Sequence, residues 1–255
     1  MRFPRFIRRL ADPVTERVPV PIVGGLNRGR FWSLASAGSG YATGRRAGPQ
    51  MRLLHALIRP RDVFWDVGAH HGYVSLMASE KVGARGEVYA FEPGARNAGV
   101  LRRHLRWNRV GNVRVETYAL GAADGEADFG GGDTSKMHAL GGGGERVRVR
   151  TVRSLVQAGE LPPPDVVKID VEGGEADVLA GALDVLPAGV RLVIAIHSAA
   201  MDRACVSLLE THGFAAAPTP ELTRARASSA PWPGDPDLLA VGPGVEVAEL
   251  EELLR

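Results

Sequence analysis

Residues 63–72 read Val-Phe-Trp-Asp-Val-Gly-Ala-His-His-Gly, and twenty positions beyond Gly72 a second apolar run, Val88–Phe91, ends in Glu92-Pro93. A short apolar run bounded by turn residues is a strand covered on both faces. A glycine turn, a helix and a second strand tipped by a carboxylate complete a unit that takes the adenosine half of a cofactor. Asp66 and Glu92 are the two polar groups set where strands end and a crevice opens.

The surrounding pattern extends this unit. Leu53, Leu54, Leu57 and Ile58 are spaced for a helix ending at Pro60, and Ala98, Leu101 and Leu105 share one face of a helix over 94–108. Gly72–Val82 reads as a helix, and Val113, Val115 and Thr117–Leu120 as a third strand. Strand alternating with helix predicts a parallel sheet. The rhythm pauses at 124–151, where Glu126–Phe129 and Arg146–Val152 read as a hairpin carrying a glycine-rich tip, and resumes with strands over Val166–Val171 and Arg191–Ile196. Helices over Glu175–Leu186 and Ala200–His212, strands over Phe214–Ala217 and Leu238–Val241, and a terminal helix over Val247–Leu254 follow. Residues 1–50, broken by Arg, Gly and Pro, are expected to be an N-terminal arm, with an active-site cover as the alternative. Residues 51–255 are expected to form one catalytic domain.

Bulk properties bound the function. Net charge is +2 across 255 residues, and no basic stripe interleaved with aromatics marks a nucleic-acid binder. Cys205 is the only cysteine, which excludes an intrachain disulfide and a thiolate metal cluster and fits a cytoplasmic protein. No apolar run reaches the ~18 residues of a membrane span.

The chemistry lies at the strand ends. Gly68 and Gly72 allow backbone to approach a ligand, and the helix after Gly72 aims free N–H groups at the crevice. Asp66 can hold an ammonium group or fix the loop, and Glu92 can accept both ribose hydroxyls. A dinucleotide site needs a Gly-x-Gly-x-x-Gly spacing. Here His70 obstructs the pyrophosphate path and Asp66 repels it, which favours a phosphate-free cofactor with a cationic end, S-adenosylmethionine. Farther along, in Lys168-Ile169-Asp170-Val171-Glu172-Gly173-Gly174-Glu175, the three ionisable groups Lys168, Asp170 and Glu172 fall at the tip of a buried strand, with Glu175 following at the helix start. Asp170 and Glu172 are read as functional there. Lys168 is read as pairing with Glu172 or Glu175. His197 ends the next strand and can take a proton near neutral pH. His70 and His71, being adjacent, should face opposite ways. A metal on Asp170, Glu172 and His197 is conceivable, but the ligand count is short, so no metal is assigned.

These pieces, in this order, resemble the FkbM-type methyltransferases from about Gly25 to Gly242. They are Trp65–Tyr73, Val88–Pro93, Asn112-Val113 through Gly121, Val167–Glu175 and Leu179–Ala182. The resemblance implies an α/β class I methyltransferase fold, Rossmann-like. Its sheet would have seven mostly parallel strands with helices on both faces, and an inserted β-hairpin would be added. It implies a methionine-side loop of Asp66, Gly68, Ala69 and Gly72, ribose binding at Glu92 beside Pro93, adenine near Ala119 and Leu120, and Asp170 facing the reacting centre. His70 stands where asparagine is usual, and Ala195 where glutamate is common two residues before the histidine.

The expected reaction is O-methylation of a hydroxyl on a small molecule, a sugar or a secondary metabolite. His197 or Asp170 would be the base, with Glu172 shaping the site. A nicotinamide-dependent oxidoreductase and a non-catalytic binding module are the other readings. The apolar terminal helix could serve a homodimer.

Overall fold

A computed structural model describes residues 15–36, 40–45, 48–130, 139–140, 144–228, 232 and 235–243. The expected terminal helix, residues 1–14 and most of the glycine-rich hairpin tip lie outside these residues.

The strands that read as doubly buried do form one sheet. β3 (Val63–Val67), β4 (Glu87–Phe91) and β5 (Val113–Glu116) lie in parallel on one side, and β10 (Val166–Ile169) and β11 (Arg191–Ala195) continue in parallel on the other. β13 (Asp237–Val241) adds antiparallel to β11, and β12 (Ala215–Pro218) closes the edge. The order β12-β13-β11-β10-β3-β4-β5 makes a seven-stranded, mostly parallel sheet whose connections reverse direction between β3 and β10. Ligand crevices open at such a reversal, outside the carboxyl ends of the strands.

Side-chain alternation distributes the helices. Phe64, Val88 and Ala90 face α1 (Pro49–Leu57), α2 (Tyr73–Val82) and α3 (Ala95–Trp107), against which Ile22 and Trp32 also pack. Trp65, Tyr89, Phe91 and Ile194 face α4 (Val152–Gln157), α5 (Glu175–Ala180), α6 (Ala199–Thr211) and α7 (Pro220–Ala227).

Three expectations are corrected. The strand expected to run through Leu120 stops at Glu116, which is opposite the last residue of β4. Beyond it, β6 (Ala119–Leu120) turns away and pairs with β9 (Glu145–Arg150). β9 and β7 (Gly125–Gly130) form the expected antiparallel pair, but with β6 and the short β8 (Ala139–Leu140) they make a separate four-stranded sheet. Val152 belongs to α4 rather than to the strand, because Thr151 Oγ1 caps that helix by accepting from the Ser154 N–H at 2.9 Å. Finally, α5 ends at Ala180 instead of Leu186. The Gly181 carbonyl accepts from the Arg153 N–H at 2.9 Å, and the Val185 N–H bonds Ala182 instead.

The N-terminal segment contributes β1 (Pro19–Pro21) and β2 (Phe31–Ser33), an antiparallel pair that the sequence pattern did not foreshadow. His104 anchors it. The Ser33 N–H donates to His104 Nε2 at 2.9 Å, so Nδ1 carries the proton and donates to the His71 carbonyl at 2.8 Å. Trp32 stacks on the same ring at 3.8 Å. Burial holds this imidazole neutral, pushing its pKa down to about 3. His104→Phe keeps the stack and strands one buried donor and one buried acceptor. It is expected to cost about 2–6 kcal/mol of stability by urea unfolding, at about 1–3 for each of the two orphaned groups.

Candidate active site

The loops after β3, β4 and β10 enclose a cavity of about 480 Å³, within the range of small-molecule sites. Its wall includes Gly68, Ala69, Glu92, Pro93, Ala119, Leu120, Asp170 and Glu172, eight of the residues singled out from sequence. Asp66, Gly72 and His197 are not on the wall.

Asp66 lies beneath the wall. Register sets it directly beside Lys168 across β3 and β10. Its Oδ1 is 3.2 Å from the Lys168 ammonium, and its Oδ2 accepts from Ser75 Oγ at 2.6 Å. The ammonium Asp66 holds is thus an internal one, and its carboxylate fixes the loop. Lys168 does not pair with Glu172 or Glu175. Its Nζ donates to the Gly68 carbonyl at 2.8 Å and lies 3.5 Å from Asp170 Oδ2. Burial opposes its charge, but Asp66 and Asp170 outweigh that and raise its pKa.

The loop after β3 needs unusual backbone. Gly68, His70 and Gly72 have φ of 79°, 50° and 84°. A Cβ on Gly68 would overlap the Asp170 carbonyl oxygen, so only glycine lets β3 and β10 close at their tips. His70 takes the left-handed conformation that asparagine tolerates best among non-glycines, which accounts for the usual residue there. The bent turn also overturns the expectation that the two histidines diverge. Both line the cavity, their rings stacked at 3.8 Å. Glu92 accepts from the His70 N–H at 2.8 Å and the Gly94 N–H at 2.9 Å. Burial raises its pKa despite those donors.

At the opposite end, His197 stands behind Asp170 and Glu172. Its Nε2 is 3.5 Å from Asp170 Oδ1, 3.6 Å from Glu172 Oε2 and 3.6 Å from Asp235 Oδ1. Its Nδ1 is 3.1 Å from Oε1 of Glu175, a fully buried side chain. The same oxygen accepts from the Val171 and Gly173 N–H groups, each at 3.1 Å, so Glu175 holds both the loop and the ring. Burial lowers the His197 pKa, but Glu175 and the other acids prevail and raise it to about 9. The free imidazole is therefore largely charged at neutral pH and is a poor base there. Burial and the neighbouring Asp170 raise the pKa of Glu172. Its φ of 57° holds it at the rim in a conformation that costs roughly 1–2 kcal/mol.

A family model for the FkbM methyltransferase domain matches residues 66–218. The chain belongs to this family. It carries this family's methyltransferase domain, whose cofactor is S-adenosylmethionine. It is similar to the hexuronic acid methyltransferase AglP of Haloferax volcanii, with 30% identity over 166 residues, 62% of this chain and 66% of the relative. The match thus spans just under two thirds of that relative's length. A precorrin-6y C5,15-methyltransferase from Geobacter metallireducens superposes with a TM-score of 0.50 and 18% identity over 76% of this chain and 87% of its own. That likeness shows the class I methyltransferase fold. No described helix is long and apolar enough to cross a membrane.

The wall suits the family's cofactor. Phe91, Tyr118, Ala119, Leu120 and Phe129 offer an apolar bed beside Glu92, whose Oε1 accepts from the Gly94 N–H and Asn97 Nδ2 and whose Oε2, bonded by the His70 N–H, keeps a lone pair free. Several wall residues of this FkbM methyltransferase were missed from sequence. Trp32, Tyr41, Pro49 and Gln50 come from the segment read as an arm, and Asp237 from the antiparallel strand. No motif marks them, because only tertiary contacts bring them to the crevice.

Asp237 is bonded by Gln50 Nε2 at 2.6 Å, and burial raises its pKa to about 7. An acid whose folded pKa exceeds its unfolded value near 4 contributes stability below pH 4 and loses it as pH rises to 7. Asp237→Asn should therefore gain on the wild type between pH 4 and pH 8, by about 2–4 kcal/mol, since each tenfold change in proton affinity is worth about 1.4 kcal/mol. Denaturant unfolding of both proteins at the two pH values measures the difference.

Proposed function

We propose that this FkbM methyltransferase O-methylates a hydroxyl of a small sugar-type acceptor, with uronic acids the leading candidates and secondary metabolites the wider class. The observation that carries the reading is that one cavity holds both the Glu92 end and the Asp170–Glu172 end. S-adenosylmethionine supplies an electrophilic methyl group on a sulfonium. In this reading Gly68 and Ala69, in the loop that Asp66 fixes from beneath and Gly72 closes behind the wall, take its methionine side. Glu92 beside Pro93 takes the ribose, and Ala119 and Leu120 take the adenine. Asp170, tied to the cofactor loop through Lys168, sets the acceptor oxygen in line with the transferred carbon. The hydroxyl proton passes to the carboxylates at that end, and His197 positions them from behind.

A small acceptor is favoured over nucleic acid by charge. Glu92, Asp170, Glu172, Glu221, Asp235 and Asp237 are all on the wall, a poor setting for the serial charges of a phosphate backbone, whereas a uronic acid brings a single charge. The AglP likeness supports a sugar acid. Trp32, Tyr41, Pro49 and Gln50 on the wall support the N-terminal segment as a cover over the 51–255 domain.

The two ends should separate experimentally. Glu92→Ala should weaken S-adenosylmethionine binding about 10–100-fold, the value of one or two charged hydrogen bonds, with Glu92→Gln intermediate. Asp170→Asn should keep binding within a few-fold and lower turnover about 10²–10⁴-fold. Calorimetry and single-turnover transfer to glucuronosides read the two effects. Equal binding losses in both variants would overturn the division.

A further inference from the structure

The acceptor end carries a geometric anomaly. Both ring nitrogens of His197 are buried without an aligned hydrogen bond, and Nε2 faces three carboxylate oxygens at nearly equal distances of 3.5, 3.6 and 3.6 Å. An imidazolium among acids ordinarily draws one of them to about 2.8 Å. Here none has closed in. Distances near 3.5 Å are instead those between neighbouring ligands of a shared ion. Two atoms each about 2.1 Å from a metal and roughly 110° apart are about 3.5 Å from one another. Ligand atoms of Asp170, Glu172 and His197 all lie within 4.8 Å of one another.

The support behind the ring points the same way. Nδ1 lies within ion-pair distance, 3.1 Å, of Oε1 of the fully buried Glu175, which two backbone N–H groups fix, although the pair is not aligned as a hydrogen bond. A carboxylate behind a histidine, orienting the far nitrogen outward, is the usual backing of a metal-ligating imidazole. Glu175 Oε2 is buried without any partner, so the carboxylate is retained at an energetic cost. The three candidate donors come from the ends of β10 and β11 and from the loop between β10 and α5, so the sheet itself sets their spacing.

The proposed substrate adds a reason. A uronic acid brings its own negative charge to a wall holding Asp170, Glu172 and Asp235. Without a cation between them, like charges would oppose its entry.

We infer that Asp170, Glu172 and His197 hold a divalent cation, and that this cation receives an acceptor presenting two adjacent oxygens, such as the carboxylate and neighbouring hydroxyl of a uronic acid. The second half rests on the sugar-acid reading above; the first does not. One imidazole with two carboxylates suits manganese, iron or zinc better than magnesium. In the transfer, the carbon–sulfur bond breaks, the carbon–oxygen bond forms and sulfur keeps the electron pair. The hydroxyl proton, made more acidic by the cation, leaves to the Asp235 carboxylate on the same wall.

The site is tested with Mn²⁺ alone on chelator-stripped protein, by calorimetry and by loss of the free-ion paramagnetic resonance signal. The wild type should bind one ion. Asp170→Asn, Glu172→Gln and His197→Ala should each weaken it at least about tenfold. Asp184→Asn, which removes an exposed acid paired with Arg153, should not. Glu172 lies at the rim, so its variant keeps the test sound if His197→Ala fails to fold, and S-adenosylhomocysteine binding checks the fold of each. Absence of Mn²⁺ binding at millimolar concentration, or unchanged affinity in Glu172→Gln and Asp170→Asn, would overturn the site. Methylation of a glucuronoside undiminished by EDTA would overturn the cation's role. Failure to bind S-adenosylmethionine would instead strike the functional reading and leave the Mn²⁺ result standing.

Discussion

The ammonium of Lys168 is the contact on which the active-site architecture depends. It is almost wholly buried, lies beside Asp66 and Asp170, and donates to the Gly68 carbonyl. A charge in that position is tolerable only because its partners are fixed on all sides. The consequence is mechanical. The loop after β3 and Asp170 after β10 cannot move independently. Gly68 reinforces the coupling, since its missing side chain lets the Asp170 carbonyl sit against the loop.

This coupling separates two kinds of acid at the crevice. Asp66 and Glu175 are fully buried and act on other protein groups, Lys168 in one case and His197 with the loop backbone in the other. Asp170, Glu172 and Asp235 reach the cavity wall. Their mutual repulsion is eased by Lys168 and by the His197 imidazole, so the charge state of this end depends on what binds there. Glu92 is intermediate, on the wall yet held by the His70 and Gly94 amides. Its carboxylate is oriented rather than mobile.

The outer ring of the site is less regular. Gln50 bridges from the start of α1 to Asp237 on β13, and His104 binds the β2 backbone to the His71 carbonyl. These two links tie the described residues of the N-terminal segment to the seven-stranded sheet and the loop after β3. They explain how Trp32, deep in the core, can also form part of the cavity wall.

The chain's local order was legible from sequence wherever burial is repetitive. Doubly buried strands must be continuous apolar runs, and a parallel sheet follows from their alternation with helices. The Gly68–Gly72 turn, Glu92 and Asp170 could be placed at strand tips because strand ends follow directly from those runs. Distant partners could not. Lys168 appeared to belong with its sequence neighbours Glu172 and Glu175, but parallel register set it beside Asp66, 102 positions earlier. The stacked histidines required a left-handed φ that only the folded loop imposes. Asp237, Gln50 and Trp32 reach the crevice through pairings across the whole chain. Periodicity reports which face of an element is buried. Which charge meets which is decided by register and packing, and these form only when the sheet closes.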